Sequence, residues 1–185
     1  MAAYSQRKIQ SRLAAVDNAV TADAKGEALE ELGRYLFEKM TGVTCEDTNI
    51  LDGRRAHELD LAFFNDQPRS PIGFLDAVII VECKATGQPV GSAAIRWFVG
   101  KLRDRGSHHG ILIALNGITG DNDPLTSAHS EVFTALSRDM VRILILTREE
   151  IETLTCGADL AALFKRKLML LALKRTVHIA EQAQL

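Results

Sequence analysis

Glu82 and Lys84 close a run, Ala77-Val78-Ile79-Ile80-Val81, that is otherwise apolar. The run lacks alternation, which predicts a strand buried on both sides. Residues two apart on a strand point to the same face, so the carboxylate and the ammonium stand together. An unpaired charge buried near a core costs on the order of several kcal/mol. Taken alone, the pair fits a frayed strand end whose charges both reach water. Asp60 alters that balance. It lies in the middle of His57-Glu58-Leu59-Asp60-Leu61-Ala62-Phe63, a second predicted strand. Antiparallel pairing of the two runs would stand Asp60 beside Glu82. Two adjacent carboxylates repel unless a cation lies between them. All-oxygen donors suit Mg²⁺ or Mn²⁺ better than zinc. A lysine beside them lowers the local negative charge and can orient or deprotonate a water. Such a set has what phosphodiester hydrolysis needs: a metal at the phosphate, a water in line and a cation for developing charge. By itself, Asp60 fits equally a residue on an exposed strand face.

The elements that must position these residues follow from periodicity. Asp23 to Met40 reads as an amphipathic helix, with Leu29, Leu32, Leu36, Phe37 and Met40 on one stripe and Glu27, Glu31, Arg34 and Glu38 on the other. Asp23 is the expected N-cap, and Gly42 follows the last turn. Strands are predicted over Glu58–Phe64 and Ala77–Lys84, joined by the proline- and glycine-bearing loop Asn65–Gly73. A helix over Ser92–Arg103, a strand over Gly110–Leu115, a helix over Ser127–Met140 and a strand over Val141–Leu146 come next. Thr147 and Glu150 form a capping box, and Asp159–Arg175 is a final helix. Ser5–Ala22 reads as a short helix with a mixed face. The order is helix, strand, strand, helix, strand, helix, strand, helix. It implies an α/β fold, a mixed central sheet flanked by helices on both faces. Three units are expected: a helical arm over residues 1–22, a core domain over 23–155 and a C-terminal helix over 156–185 packed on it or extending it.

Composition bounds the function. The 185 residues suffice for one domain with a real core, and the net charge is −2. A protein that wraps nucleic acid without specificity is usually more basic, so any such contact must come from local basic patches. Cys45, Cys83 and Cys156 show no metal-binding spacing, which points to reduced thiols in the cytoplasm. The longest apolar runs are far shorter than a membrane span, so no membrane is expected as a partner.

Asp60, a loop, then Glu82-Cys83-Lys84 resembles the D…(D/E)xK signature of the PD-(D/E)xK nucleases, whose fold is restriction-endonuclease-like. More closely, the chain resembles the Mrr-like branch associated with type IV restriction. The similar pieces are Lys25-Gly26-Glu27-Ala28-Leu29-Glu30, His57-Glu58-Leu59-Asp60, Val81-Glu82-Cys83-Lys84, Trp97-Phe98 and Gly110-Ile111-Leu112-Ile113 leading to Gly117-Ile118-Thr119. They span Asp23 to Leu146. The resemblance implies an αβββαβ-type core and a metal-dependent endonuclease acting on DNA, in defence or repair. It implies that Asp60, Glu82 and the backbone carbonyl of Cys83 bind Mg²⁺ or Mn²⁺, that Lys84 positions the attacking water and that Glu30 supports the site. From its own position, Glu30 fits nearly as well a boundary glutamate that reaches water. The proline of the superfamily name is absent, since Leu59 precedes Asp60. Ile95-Arg96-Trp97-Phe98 occupies the region where some Mrr-like members carry a glutamine.

Other charged groups carry weaker signals. Arg54 and Arg55, and Arg96, Lys101, Arg103 and Arg105 on or after the following helix, could grip phosphates or could be solvated faces. His57 could touch a phosphate or be a surface residue. His108 and His109 point to opposite faces and suit a loop, and Asp76 suits a strand start. Cutting a duplex with one site per chain implies a homodimer or a partner protein that supplies specificity. RNA as substrate remains open. The alternative is a nucleic-acid-binding or scaffold module that keeps the fold without turnover.

Overall fold

The computed structural model describes residues 3–51, 58–121 and 126–174. Short polar side chains set where its first helices begin. Ser5 accepts from the Lys8 amide and opens α1 (Gln6–Asn18). Thr21 accepts from the Ala24 amide at 3.1 Å and opens α2 (Ala22–Glu38). The cap of α2 is therefore Thr21, two residues before the expected Asp23, which lies inside the first turn and favours the helix dipole from there.

A strand that periodicity does not reveal follows, β1 (Val43–Leu51). Its sequence, Val-Thr-Cys-Glu-Asp-Thr-Asn-Ile-Leu, is polar because it lies at the sheet edge, and its pairing is broken by a bulge between Cys45 and Asp47. With β2 (Glu58–Asn65) and β3 (Val78–Lys84) it gives the three consecutive strands of an αβββαβ core. Then come α3 (Ser92–Arg103), β4 (His109–Ala114), α4 (Ser127–Asp139), β5 (Arg142–Leu146), α5 (Arg148–Thr153) and α6 (Gly157–Lys174). The sheet order is β1-β2-β3-β4-β5. The pairs β1/β2 and β2/β3 are antiparallel, while β3/β4 and β4/β5 are parallel. Hairpin-linked strands and helix-linked strands thus meet at β3, which is buried on both faces.

Close helix–sheet approach fixes which face each helix covers. A Cβ on Gly33 of α2 would stand 2.9 Å from Leu61 and 3.0 Å from Ile113, with Cys83 Sγ at 3.9 Å. Phe37 of α2 stacks on Phe63 and on Phe164 of α6, so α2 and α6 share that face. On the other face, a Cβ on Gly110 would come within 2.3 Å of Leu102 and 2.8 Å of Phe98, both on α3. A Cβ at either position would have to push those neighbouring side chains aside, so glycine favours the close seat of helix on strand. Helix α4 packs beside α3 and against β5.

The segment expected as an arm is part of this core. Ile9, Leu13 and Val16 of α1 are buried in the same cluster as α2. The Tyr4 hydroxyl donates to the Leu36 carbonyl at 2.8 Å, and the Tyr4 amide donates to Thr155 O at 2.7 Å. Helix α6 is tied down by a buried charge. Glu150 completes the capping box of α5 with one oxygen, accepting from the Thr147 amide at 3.0 Å. Its other oxygen lies 2.6 Å from Nζ of Lys167, which is buried. That contact is an ion pair without hydrogen-bond geometry, and burial drives the Lys167 pKa down while Glu150 opposes it.

Removing one member of this pair should be far worse than replacing both. Glu150→Ala leaves Lys167 buried without its partner and should lower unfolding free energy by about 3–5 kcal/mol in urea titration, whereas Glu150→Gln combined with Lys167→Met should be close to neutral.

Candidate active site

Register places the chemistry. Leu61 pairs with Val81, and the ladder runs from there to Phe64 opposite Val78. At Leu61/Val81 the backbone pairing of the two strands ends, and the Asp60 side chain takes over: its Oδ2 accepts from the Cys83 amide at 2.6 Å. Leu61 and Cys83 face α2, so their neighbours Asp60 and Glu82 face α3. Asp60, Glu82 and Lys84 are thereby gathered where β2 and β3 part.

Glu82 is the centre of the group. It is 1% exposed, the condition under which a carboxylate must find positive charge. Two lysines supply it. Lys84 Nζ lies 2.7 Å from Oε1, and Lys101 Nζ donates to Oε2 at 2.7 Å. Lys101 comes from α3 and is itself only 4% exposed. The Lys84 contact is a close ion pair with poor hydrogen-bond geometry, so buried Oε1 is answered mainly by that charge.

The electrostatics reflect this crowding. Burial, then the neighbouring Glu82 charge, raises the Asp60 pKa, and the Cys83 amide and the two lysines pull it back in part. Burial alone would lower the Lys84 pKa, but Glu82 and Asp60 outweigh it and the net shift is upward. In the metal-free protein Lys84 is therefore an ammonium, suited to orienting a water and meeting developing negative charge. Burial, then Asp60, Glu30 and Glu82, pushes the Cys83 thiol well above its ordinary value, which leaves it inert as a nucleophile.

These residues fit a hard divalent cation. The donors are carboxylate oxygens and one backbone carbonyl, that of Cys83, and Glu82 Oε1 has coordination capacity that no hydrogen bond consumes. Among the described residues no three side chains of Asp, Glu, His or Cys gather into a metal cluster. A cation here would rest on two carboxylates and the main chain.

Glu30 lies on α2, one turn before Gly33, and so belongs to the Cys83 side of the sheet; its charge is felt at that thiol. Lys101, expected as a phosphate grip, is buried against Glu82 instead of standing at the surface, because its position on α3 points at β3. Arg96 is exposed on the α4 side of the same helix, paired with Glu131 at 2.6 Å. Arg103 shares that side, 3.8 Å from Asp139. Trp97, one turn before Lys101, is 54% exposed. Arg54, Arg55 and His57 lie outside the described residues. Asp76 accepts from the His108 and His109 amides at 2.7 and 3.0 Å and pairs with the His109 ring, a clasp at the start of β3 and β4. Sequence spacing alone gives no sign that Lys101 belongs to the site. The signal available was its place one position before Leu102 on the buried face of α3, a costly location for an unpaired ammonium.

Residues 21–151 match the family described as restriction endonuclease, the Mrr catalytic domain. No curated protein and no solved structure matches the chain. The matched region contains α2, the whole sheet and every residue gathered at its parting strands. With that span, a mixed five-stranded sheet and Asp60, Glu82 and Lys84 at one place, the chain belongs to the Mrr restriction-endonuclease family, a family of nucleases.

Proposed function

We propose that the protein is an endonuclease that hydrolyses phosphodiester bonds of DNA with Mg²⁺, or Mn²⁺, held by Asp60, Glu82 and the Cys83 carbonyl. The observation that carries this reading is the convergence of two carboxylates and a lysine at the end of the β2/β3 ladder, one carboxylate oxygen buried and unsatisfied. The cation would polarise the phosphate and offset charge in the transition state. Asp60 is held for this by the Cys83 amide, and Glu82 by Lys101. Lys84, about one-third exposed at its side chain, reaches the solvent side of the site, where it orients the attacking water and meets charge developing on the phosphate. Glu30 acts from the far side of the sheet, through the field at Cys83. Arg96 of α3, with Arg54 and Arg55 ahead of β2 in the sequence, would meet phosphates outside the site.

One such site cuts one strand. Duplex cleavage then calls for a second copy or a partner protein, which would also supply specificity, in a defence or repair role. Among the described residues no helix is long and apolar enough to cross a membrane, and no disulfide joins the cysteines. Both suit a protein working in the cytoplasm.

A second reading is a binding or scaffold module without turnover. It is favoured by the net charge of −2 and by the two lysines that already neutralise Glu82. Plasmid, single-stranded DNA and RNA incubated with Mg²⁺ or Mn²⁺ separate the two. Metal-dependent nicking that stops with chelator, and that falls by about 10²-fold or more in Lys84→Ala and Asp60→Ala, is the expected result. Binding without cleavage on all three substrates would establish the module instead.

Asp60 should also show a trade of stability for chemistry. Its folded pKa is raised, so the stability it allows is present at low pH and is lost as pH rises through that pKa. Asp60→Asn keeps an acceptor for the Cys83 amide and removes the repulsion with Glu82. In chelator at neutral pH the variant should melt above the wild type, the gap should close as pH falls through the raised Asp60 pKa, and cleavage should be lost. A variant that melts below the wild type at neutral pH would count against this account.

A further inference from the structure

We propose that Lys101 is a fixed counter-charge of Glu82, and that it makes cation binding at this site depend on the arrival of a phosphate-bearing strand. The inference rests on the nuclease reading above and adds a mode of regulation to it. When Asp60, Glu82, Lys84 and Lys101 are all ionised, these four side chains sum to no net charge. Without Lys101 the remaining three would sum to one negative charge, which favours a hard cation.

The two lysines are not equivalent. Lys84 has about one-third of its side chain in solvent and holds Oε1 without hydrogen-bond geometry, so it has room to turn from Glu82 when a cation takes that oxygen. Lys101 has 5% of its side chain exposed and donates a formed hydrogen bond to Oε2. Its neighbours on α3, Phe98 and Leu102, are buried and packed over Gly110, which seats the turn that carries Lys101 on the sheet. The positive charge of Lys101 therefore stays when a divalent ion is present, and repels it. A phosphodiester at the site brings a negative charge that offsets this repulsion. Metal and nucleic acid then strengthen each other's binding by the same factor, as linkage requires. Lys101 is a positioning residue: it touches Glu82, and it sets when the metal is held.

The test is Mn²⁺ binding by the full chain, read from the electron paramagnetic resonance signal of the free ion. It is measured without DNA, with a short phosphorothioate DNA, and with the uncharged methylphosphonate form of the same strand. The wild type should bind Mn²⁺ about tenfold or more tightly with the charged strand, and should gain little from the uncharged one. Lys101→Gln and Lys101→Met should bind Mn²⁺ alone about tenfold tighter than the wild type and gain less from DNA. Lys101→Arg, which keeps the charge, should behave as the wild type does. Gln retains a donor for Oε2, so a folding defect in the Met variant leaves the comparison intact. The wild-type measurement stands without any variant: equal Mn²⁺ affinity with and without charged DNA overturns the proposal. So does Mn²⁺ binding by the Gln and Met variants that is no tighter than the wild type's. Those results leave the nuclease reading in place. Failure of every form to bind Mn²⁺, with or without DNA, overturns both.

Discussion

A carboxylate that is almost wholly out of water organises this molecule's chemistry. Glu82 sits on the most buried strand of the sheet, where an isolated charge would be intolerable, and the surroundings are arranged to answer it. Lys84 reaches it along the same strand, and Lys101 reaches it from the helix above. That second contact needs α3 close to β4, which glycine at position 110 favours. Asp60 is drawn in by the adjacent strand and fixed to the Cys83 amide, where it feels Glu82 as a repulsion. The ion pairs satisfy Glu82 imperfectly, since one buried oxygen remains without a hydrogen bond.

The sheet explains why these groups meet. Antiparallel pairing brings β2 to β3 in a short loop, and parallel pairing brings β4 to the other side of β3 through α3. The site lies on the face that α3 covers, while α2 and α6 pack on the reverse. Cys83 belongs to both faces. Its side chain packs beneath Gly33 and its amide holds Asp60.

Much of this could be read from the residues. The apolar run into Glu82 and Lys84 marks a buried strand, and Asp60 at mid-strand across one loop marks its partner; the matching boundaries of α3 come from helical periodicity alone. The capping box at Thr147 is explicit in two residues. Edge strand β1 was not legible, because an edge need not be apolar and a bulge breaks its alternation. The place of α1 in the core was hidden by a mixed helical face, and its contacts with α2 and α5 show it. Lys101 was misplaced as a surface cation because lysine usually is one. Its true partner is nineteen residues away in sequence, and no local pattern signals a contact between a helix and the strand before it.

Trp97 gives the protein a built-in observer. It is the chain's single tryptophan, about half in water, on the turn of α3 that precedes Lys101. Indole emission shifts in colour and intensity with the polarity around the ring. Every photon of tryptophan light from this protein thus originates on the helix that supplies Lys101, with no background from other indoles. Events at that face can be followed in real time in the unlabelled molecule.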